Sequence, residues 1–548
     1  MSPRASRPTD QRRPKREPAS VTFVGAGPGD PSLLTLAAVR HLGRADALII
    51  DTSARDDLVA EHLPEGVEVV DAGHGEHGQQ LTHASRAKLV VKTATAHPGG
   101  HVVRLMDGDP ATFNGLAEEA RALAKAGIPY EIVPGVSSVS AVPTYAGVPL
   151  TMGNASSVHV VSVTSGRVPD LTTSTGDDIT VVVLGMPERL VAALTALREA
   201  GRAGTTPIAL TERGTTRSQR TVSGTLADVE ALAKGLELPA LAIVGPPVEL
   251  RDELSWFETK PLFGWRVLVP RTKAQSGSME ERLGDFGATS EVVPTISVEP
   301  PRTPQAMERA VRGLVTGRYE WVGFTSVNAV RAVREKFELV GLDARAFAGL
   351  KVAAVGGSTA RALQEWGINP DLVPSGEKSA AGLLEDWPPY DDVLEPINRV
   401  LLPRADIATE TLVAGLQEMG WEVDDVTAYR TVRASPPPAP TRDAIKAGAF
   451  DAVAFTSSST VRNLIGIAGK PHPSTVVACI GPATAKTAEE LGLRVDIVAS
   501  EADAVRLVDD LADHARGLIA QALADGEPVR RPSEKVPVSS RRRAKAKG

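Results

Sequence analysis

The sequence predicts an α/β protein built from several parallel-sheet units, and three features carry that reading. Apolar residues make up 42% of the chain and aromatics only 4%. The cores must therefore be packed from Val, Leu, Ile and Ala, which suits parallel sheets covered by helices. Short apolar runs alternate with helical patterns along the whole chain, and many of the runs end in small polar residues. The second half also repeats itself. Arg266-Val-Leu-Val-Pro-Arg271 returns as Arg399-Val-Leu-Leu-Pro-Arg404, and Tyr319-Glu-Trp-Val-Gly-Phe-Thr-Ser326 returns as Phe450-Asp-Ala-Val-Ala-Phe-Thr-Ser457. Lys351-Val-Ala-Ala-Val-Gly356 with Thr359-Ala360 returns as Val476-Val-Ala-Cys-Ile-Gly481 with Thr484-Ala485. The offset is about 130 residues, so each copy is a whole lobe rather than a solenoid unit. Two such lobes facing each other form a cleft ringed by backbone N–H groups, a geometry suited to a polyanion.

At 548 residues the chain is too long for one core, and about three compact units are expected. Val21-Thr-Phe-Val24 is a strand entering Gly25-Ala-Gly-Pro-Gly-Asp30. Asp30 is a natural N-cap and Pro31 a natural first residue for a helix over 32–42. Ala47-Leu-Ile-Ile50 is a second strand, ending on Asp51. Val102-Val-Arg-Leu-Met106 is a third, ending in Asp107-Gly-Asp-Pro110. A helix over 115–126 closes at Gly127, and Tyr130-Glu-Ile-Val133 runs into Pro134-Gly-Val-Ser-Ser138. A second block opens near Val158 and ends with Leu241-Ala-Ile-Val-Gly245. These pieces make a first domain over 20–250. Residues 251–264 read as a linker, and a second domain follows over 265–515. Its proline-bearing crossings, Val298-Glu-Pro-Pro-Arg302 and Arg433-Ala-Ser-Pro-Pro-Pro-Ala-Pro440, predict a hinge. One lobe is then 265–299 plus 441–515, with a lobe over 303–430 inserted into it.

Charge and cysteine content exclude several classes. The single cysteine, Cys479, rules out an intramolecular disulfide and a Cys-rich zinc site, and suits a reducing cytoplasm. No apolar stretch reaches membrane-spanning length and the N-terminus lacks a signal-peptide core, so a cytoplasmic protein is expected. Net charge is −7, yet residues 1–19 and 516–548 are basic. Without interleaved aromatics these read as disordered solubilising tails, the latter after the end of a helix, rather than nucleic-acid arms. His74, Glu76 and His77 lie in Gly-His-Gly-Glu-His-Gly, too flexible a run for a preformed metal cage, and no metal is expected.

Gly25-x-Gly27-x-Gly29 after a strand, with Asp51 beyond it, suggests a dinucleotide site, but the third glycine comes early and Pro28 removes a donor. Its neighbours point elsewhere. Val24-Gly-Ala-Gly-Pro-Gly-Asp-Pro-Ser-Leu-Leu-Thr35, Val103-Arg-Leu-Met-Asp-Gly-Asp-Pro110, Val133-Pro-Gly-Val-Ser-Ser138, Tyr145-Ala-Gly-Val-Pro-Leu-Thr151 and Glu212-Arg-Gly-Thr-Thr-Arg-Ser-Gln219 follow in order. Together they resemble the uroporphyrinogen-III C-methyltransferases of the tetrapyrrole methylase superfamily. The resemblance implies a two-lobed methylase fold, a homodimer, and S-adenosylmethionine held by Pro28, Asp107, Gly108, Asp109, Thr112, Ser137, Ser138, Leu184 and Gly214. It makes Asp51 the proton acceptor, since methylating a pyrrole carbon releases a ring proton; a cap at a strand end is the other reading of Asp51. The chain departs from that family at His74, where a lysine stands as proposed proton donor, and at Met106-Asp107-Gly108-Asp109-Pro110 for Lys-Gly-Gly-Asp-Pro. Asn114-Gly115-Leu116-Ala117-Glu118-Glu119 replaces Gly-Arg-Gly-Gly-Glu-Glu, and Leu184 replaces a methionine. These changes remove positive charge that an octa-acid would meet. They leave open a half that is catalytically degenerate.

The repeated half resembles the uroporphyrinogen-III synthases. Val269-Pro-Arg271, Phe324-Thr-Ser-Val-Asn328, Ala354-Val-Gly356, Leu402-Pro-Arg404, Tyr429-Arg430, Phe455-Thr-Ser457 and Ile480-Gly-Pro-Ala-Thr-Ala485 carry the likeness. It implies two flavodoxin-like lobes joined by a two-stranded ladder, with no metal or organic cofactor. The implied substrate, hydroxymethylbilane, loses water to give a cation that must attack the substituted carbon of the last pyrrole and invert that ring, so the protein chiefly holds geometry. Hydroxyls and backbone N–H groups at Thr325, Ser326, Ser358, Thr359, Thr456, Ser457, Ser458 and Thr484 suit its carboxylates, with helix capping as the other reading. Arg271 and Arg404 read either as acid binders or as partners of local carboxylates. Tyr429 matches the family's tyrosine that assists hydroxyl departure. Together the two resemblances imply that the methylase half then transfers methyl groups to the uroporphyrinogen III so formed. The rivals are a synthase with an inactive methylase half, a non-enzymatic bilobed binding protein, and an NAD dehydrogenase.

Overall fold

The computed structural model describes residues 19–51, 60–74, 80–153, 155–164, 167–236, 240–271 and 273–535. Residues 1–18 and 536–548 of the basic tails, and Glu76 and His77, lie outside them. The chain divides into two compact units, one holding residues 1–264 with 286–288 and the other 265–285 with 289–548.

The first unit opens with a parallel sheet of β1 (Ser20–Gly25), β2 (Ala47–Ile50), β3 (Glu68–Asp71), β4 (His101–Met106) and β5 (Tyr130–Val133), in the order β3-β2-β4-β1-β5. The central strands β1, β2 and β4 are buried almost throughout, as strands covered on both faces must be. Asp30 does cap a turn at Pro31, but only the 3-10 turn Pro31–Leu33. Leu34 is extended and Thr35 starts the α-helix Leu36–Leu42, its hydroxyl accepting from the Ala38 amide at 3.1 Å.

The unit's second sheet is mixed, where parallel sheets were expected. It comprises β6 (Ser157–Ser162), β7 (Ile179–Gly185), β8 (Pro207–Glu212), β9 (Arg220–Thr225) and β10 (Ala240–Val244), ordered β6-β7-β10-β8-β9. Only β6 and β7 run parallel; a short turn with no room for a crossover helix joins β8 to β9. Residues 251–264, expected as a linker, belong to this body instead. Tyr145 packs its ring against Trp256 and Phe257 at 5.0 and 4.6 Å between centroids. The Glu258 carboxylate accepts from Gln219, Thr221 and Arg251 at 2.8, 2.6 and 2.7 Å.

The second unit holds two further sheets. One orders β12 (Thr289–Val292), β11 (Arg266–Val269), β18 (Ala452–Phe455), β19 (Val476–Cys479) and β20 (Ile497–Val498), all parallel. The other orders β13 (Ile296–Glu299), β17 (Glu422–Arg433), β16 (Arg399–Ala405), β14 (Trp321–Phe324) and β15 (Lys351–Ala354). Within the first, strands follow the flavodoxin-like sequence 2-1-3-4-5. The repeat holds in space as well as in sequence. The Arg-bearing strands β11 and β16 each lie beside the Phe-Thr-Ser strands β18 and β14, which lie beside β19 and β15.

Two boundaries differ from expectation. Strand β13 pairs antiparallel with β17, Ile296 opposite Arg433 and Glu299 opposite Arg430, so residues 296–299 join the inserted lobe's sheet. The two-stranded connection lies there, where each strand satisfies the other's backbone groups. The C-terminal helix runs Ala504–Ala524 rather than ending near 515, burying Leu507, Val508, Leu511, Ala512 and Ala515. Beyond it the chain folds back, and the buried Ser533 amide donates to the Asp451 carboxylate at 2.9 Å.

Candidate active sites

In the first unit, three loops close on one another through glycines. A Cβ on Gly25 would lie 2.5 Å from Gly135, and one on Gly135 would lie 2.1 Å from the Gly108 carbonyl. Gly27 and Gly108 exchange backbone hydrogen bonds at 3.2 and 2.9 Å. The Asp109 carboxylate accepts from the Ala111 and Gly135 amides at 2.9 and 3.1 Å, and Asn114 donates to the Asp107 and Asp109 carbonyls at 2.5 and 2.6 Å. Against these loops and the ends of β7 and β8 lies a cavity of about 430 Å³. Pro28, Asp107, Gly108, Asp109 and Thr112 line it from one side; Ser137, Ser138, Leu184 and Gly214 complete the set predicted from the sequence. Ser137 also caps the helix Ser138–Tyr145, so capping and site are not exclusive.

Asp51 is placed differently from the expected free base. It is not among the residues lining this cavity. Its carboxylate takes the Arg104 Nη2 at 2.7 Å and lies 3.6 Å from Arg86 Nε. Arg104 is fully buried and reaches Glu119, also fully buried, at 2.8 and 3.2 Å. Burial opposes that guanidinium's charge, but the bonds to Glu119 and then Asp51 outweigh it and raise the Arg104 pKa. Removing one partner of such a buried pair costs about 3–5 kcal/mol, so this triad anchors β2, β4 and the helix Leu116–Ala126 together. His74 pairs with Asp71 at 3.7 Å rather than projecting freely.

The second unit carries its predicted residues at the carboxyl ends of the two matched sheets. Arg271 follows β11 and Thr456, Ser457 and Ser458 follow β18, flanking the point where strand order reverses in the first sheet; ligands of such sheets sit there. Thr325 and Ser326 follow β14 beside Arg404 at the end of β16 in the other. Ser326 and Ser457 cap the helices Val327–Leu339 and Ser458–Ala468, and Ser458 donates to the Ala483 carbonyl at 2.9 Å. The Tyr429 hydroxyl lies 2.9 Å from Ser326 Oγ. Ser358 is exposed in the first turn of the helix Gly357–Glu365.

The repeated arginines have diverged. Among the described residues, nothing pairs with the half-buried Arg271 guanidinium, and burial alone lowers its pKa. Arg404 is 3% exposed. It binds both Asp425 oxygens, the Thr409 carbonyl and Glu410, and the bonds to Asp425 raise its pKa. The expectation that Arg404 binds ligand is therefore corrected to the local-pair reading. Thr359 and Thr484, 3% and 4% exposed, are largely covered within their helices, as is Tyr429 at 7% in its strand.

Comparison with known proteins adds the decisive observation. Residues 20–230 match the family model described as tetrapyrrole (corrin/porphyrin) methylases, and residues 277–509 match that of uroporphyrinogen-III synthase HemD. A protein of Ruminiclostridium josui, porphyrin biosynthesis protein HemD, is 30% identical over 515 residues, covering 91% of this chain and 99% of its own length. The chain belongs to this fused methylase–synthase family. Siroheme synthase 2 of Aeromonas hydrophila is 35% identical over 247 residues, 44% of this chain and 52% of that protein. Among solved structures, uroporphyrin-III C-methyltransferase of Thermus thermophilus complexed with S-adenyl homocysteine is 35% identical, covering 42% of this chain and 99% of that one with a TM-score of 0.37. A mutant uroporphyrinogen III synthase of the same organism is 22% identical, covering 46% and 99%, with a TM-score of 0.33.

The fused family members are enzymes of tetrapyrrole biosynthesis, and this chain carries both the synthase and the methyltransferase domain. In its methylase half, sequence reasoning missed Phe113, Met186 and Arg213, which also line the cavity. Phe113 and Arg213 adopt left-handed backbone, φ 61° and 51°, at a cost of about 1–3 kcal/mol each. Arg213 stands inside a quoted motif, directly before Gly214; a base flanking a ligand-contacting glycine was the available signal. Among the described residues, no group of three His, Cys, Asp or Glu is placed to hold a metal, and no helix is long and apolar enough to cross a membrane.

Proposed function

We propose that the synthase half converts hydroxymethylbilane to uroporphyrinogen III with inversion of the last ring, and that the methylase half C-methylates that product to precorrin-2. The observation that carries the first step is the hydroxyl pair of Tyr429 and Ser326 at 2.9 Å, at the carboxyl edge of one matched sheet, with Arg271, unpaired among the described residues, at the equivalent edge of the other. Arg271 holds a carboxylate arm. Thr325, Ser326, Ser358, Thr456, Ser457 and Ser458 supply neutral donors to further arms, which grip the chain without neutralising the cation. Tyr429 donates to the departing hydroxyl, and its own oxygen is oriented by Ser326.

In the methylase half the donor residues fit S-adenosylmethionine. The cavity is of ligand size and lined by small residues together with Asp107 and Asp109, a set suited to a sulfonium. When bound, S-adenosylmethionine supplies an electrophilic methyl group. Pro28, Gly108, Thr112, Ser137, Ser138, Leu184 and Gly214 hold it and exclude water. Asp51, paired with Arg104 and Arg86 and outside the lining of this cavity, is proposed to receive the ring proton on the strength of the family resemblance and its partial exposure. Tyr130 and Ile132, exposed on the edge strand β5, support a homodimer through this half, and the buried lone cysteine suits a cytoplasmic setting.

The test is a coupled assay with hydroxymethylbilane, with and without S-adenosylmethionine, resolved by isomer and mass. The type III macrocycle, gaining two methyl groups only when the donor is present, is the expected result. Type I alone overturns the synthase step; type III without methyl gain overturns the methyl transfer.

A further inference from the structure

Arg213 is the only basic side chain among the residues that line the methylase cavity. It is exposed, and among the described residues no acceptor faces its guanidinium. Its backbone lies in the left-handed region, φ 51°. The Arg213 carbonyl accepts from Thr216 N and Oγ1 at 3.2 and 2.7 Å. The next residue but one, Thr215, is also left-handed at φ 65°; its amide donates to Gln219 Oε1 at 2.7 Å and its hydroxyl accepts from the Asp30 amide at 3.1 Å. From the other lobe of the unit Phe113, φ 61°, is 53% exposed on the same cavity, beside Asn114, whose amide ties the loop to two carbonyls. Met186, 38% exposed, is a third member of the lining.

An exposed aromatic and an unpaired cation, each in a backbone conformation that costs energy, persist only where surrounding bonds enforce them, and such enforcement concentrates at ligand contacts. A flat apolar face and a lone guanidinium lining one cavity match a pyrrole ring bearing an acid arm. We propose that Arg213 binds one carboxylate arm of the tetrapyrrole while Phe113 packs on the face of the ring it belongs to, so that this rim selects an acid-armed macrocycle. The inference rests on the methyl-transfer reading and adds the substrate-holding residues to it. It also supplies positive charge to a cavity whose other named charges, Asp107 and Asp109, are acidic. The alternative source of a carboxylate is the amino-acid end of the methyl donor. Arg213 is assigned to the tetrapyrrole because its side chain is exposed whereas Ser137, Ser138 and Gly214 are partly covered.

The test uses the full chain and its Arg213→Gln, Arg213→Lys and Phe113→Ala variants. Equilibrium titration with uroporphyrin III, a stable oxidised macrocycle, is run beside titration with S-adenosylhomocysteine, and synthase turnover of the same samples reports that the chain is folded. Arg213→Gln is expected to weaken one porphyrin-binding step roughly tenfold or more, as loss of a charge-assisted contact does. Arg213→Lys should recover part of that loss, because it keeps the charge without the planar fork. Affinity for S-adenosylhomocysteine and synthase turnover should not move. Superimposable porphyrin curves for wild type and Arg213→Gln overturn the proposal, as does a loss confined to S-adenosylhomocysteine. If the wild type fails to transfer methyl groups while the porphyrin difference persists, the reaction is wrong and the rim stands.

Discussion

The two repeated arginines of the synthase half make opposite predictions from one chemical change. Replacing Arg404 by Leu strips a buried guanidinium from Asp425, Glu410 and the Thr409 carbonyl. Breaking a fully buried pair costs about 3–5 kcal/mol. Asp425 is 37% exposed and Glu410 78% exposed, so water recovers part of that; about 2–3 kcal/mol remains. For a domain of this size the loss lowers the Tm of the synthase half by roughly 5–10 °C. Replacing Arg271 by Leu removes a half-buried cation with no partner among the described residues, so its removal relieves desolvation and leaves the Tm unchanged or slightly higher. Activity should move the other way. Losing a charge-assisted bond to substrate costs about 1.5–3 kcal/mol, a roughly ten- to hundredfold fall in kcat/KM for type III formation. Thermal unfolding followed by circular dichroism, with isomer-resolved turnover on the same samples, separates the two. The reasoning fails if Arg271→Leu destabilises as much as Arg404→Leu, or if it leaves type III formation intact.

Three further outcomes follow from single contacts. Tyr429→Phe removes the hydroxyl that faces Ser326; type III formation should slow by roughly tenfold or more while stability changes by about 1 kcal/mol, read from initial rates and a urea melt. The Tyr145 hydroxyl, pushed up to about 12 by burial and then by the Asp30 carboxylate, binds its proton more tightly folded than unfolded. Its contribution is therefore complete below the ordinary phenol value and lost as pH rises from about 10 through about 12. The methylase half should lose Tm over that window, and Tyr145→Phe should flatten the loss. Ending the chain after Arg531 removes the Ser533 amide from the buried Asp451, which keeps its bond from the Arg266 amide at 2.8 Å. The synthase half should lose about 1–3 kcal/mol, measured as a shift in denaturation midpoint.

What was legible in the sequence was what sits at strand ends. Apolar runs closed by Gly, Ser and Asp placed Gly25, Asp107 and Ser137 on loops that meet, and the nine residues assigned to the methyl donor do line one cavity. What the sequence concealed depends on partners far along the chain. Arg271 and Arg404 stand in the same short motif; only the pairing of β16 with β17, which sets Arg404 near Asp425, separates a free cation from a locked one. The triad of Asp51, Arg104 and Glu119 joins three elements in the same way. Left-handed backbone at Phe113 and Arg213 carries no signature in residue type, because neither residue favours it. The linker misreading over 251–264 arose because charged residues outnumber the aromatics that anchor it, of which Phe257 is only 4% exposed.

The divergence of the repeat bears on the chemistry. The two sheets present equivalent strands in equivalent order, so an undiverged pair would offer two like edges and hold a linear tetrapyrrole with no preference between its ends. Inverting one ring of four requires that preference. The structure breaks the equivalence twice, on opposite sides. On one edge the arginine is unpaired among the described residues, and on the other it is consumed by Asp425. Strand β12 stops after four residues, whereas its counterpart β17 continues for twelve. Tyr429 lies in that extension, past the register at which β12 has ended, so it has no equivalent on the other edge. An edge bearing Arg271 and an edge bearing Tyr429 therefore offer unlike groups to the two ends of a linear substrate. That division follows from where the two copies stopped being alike.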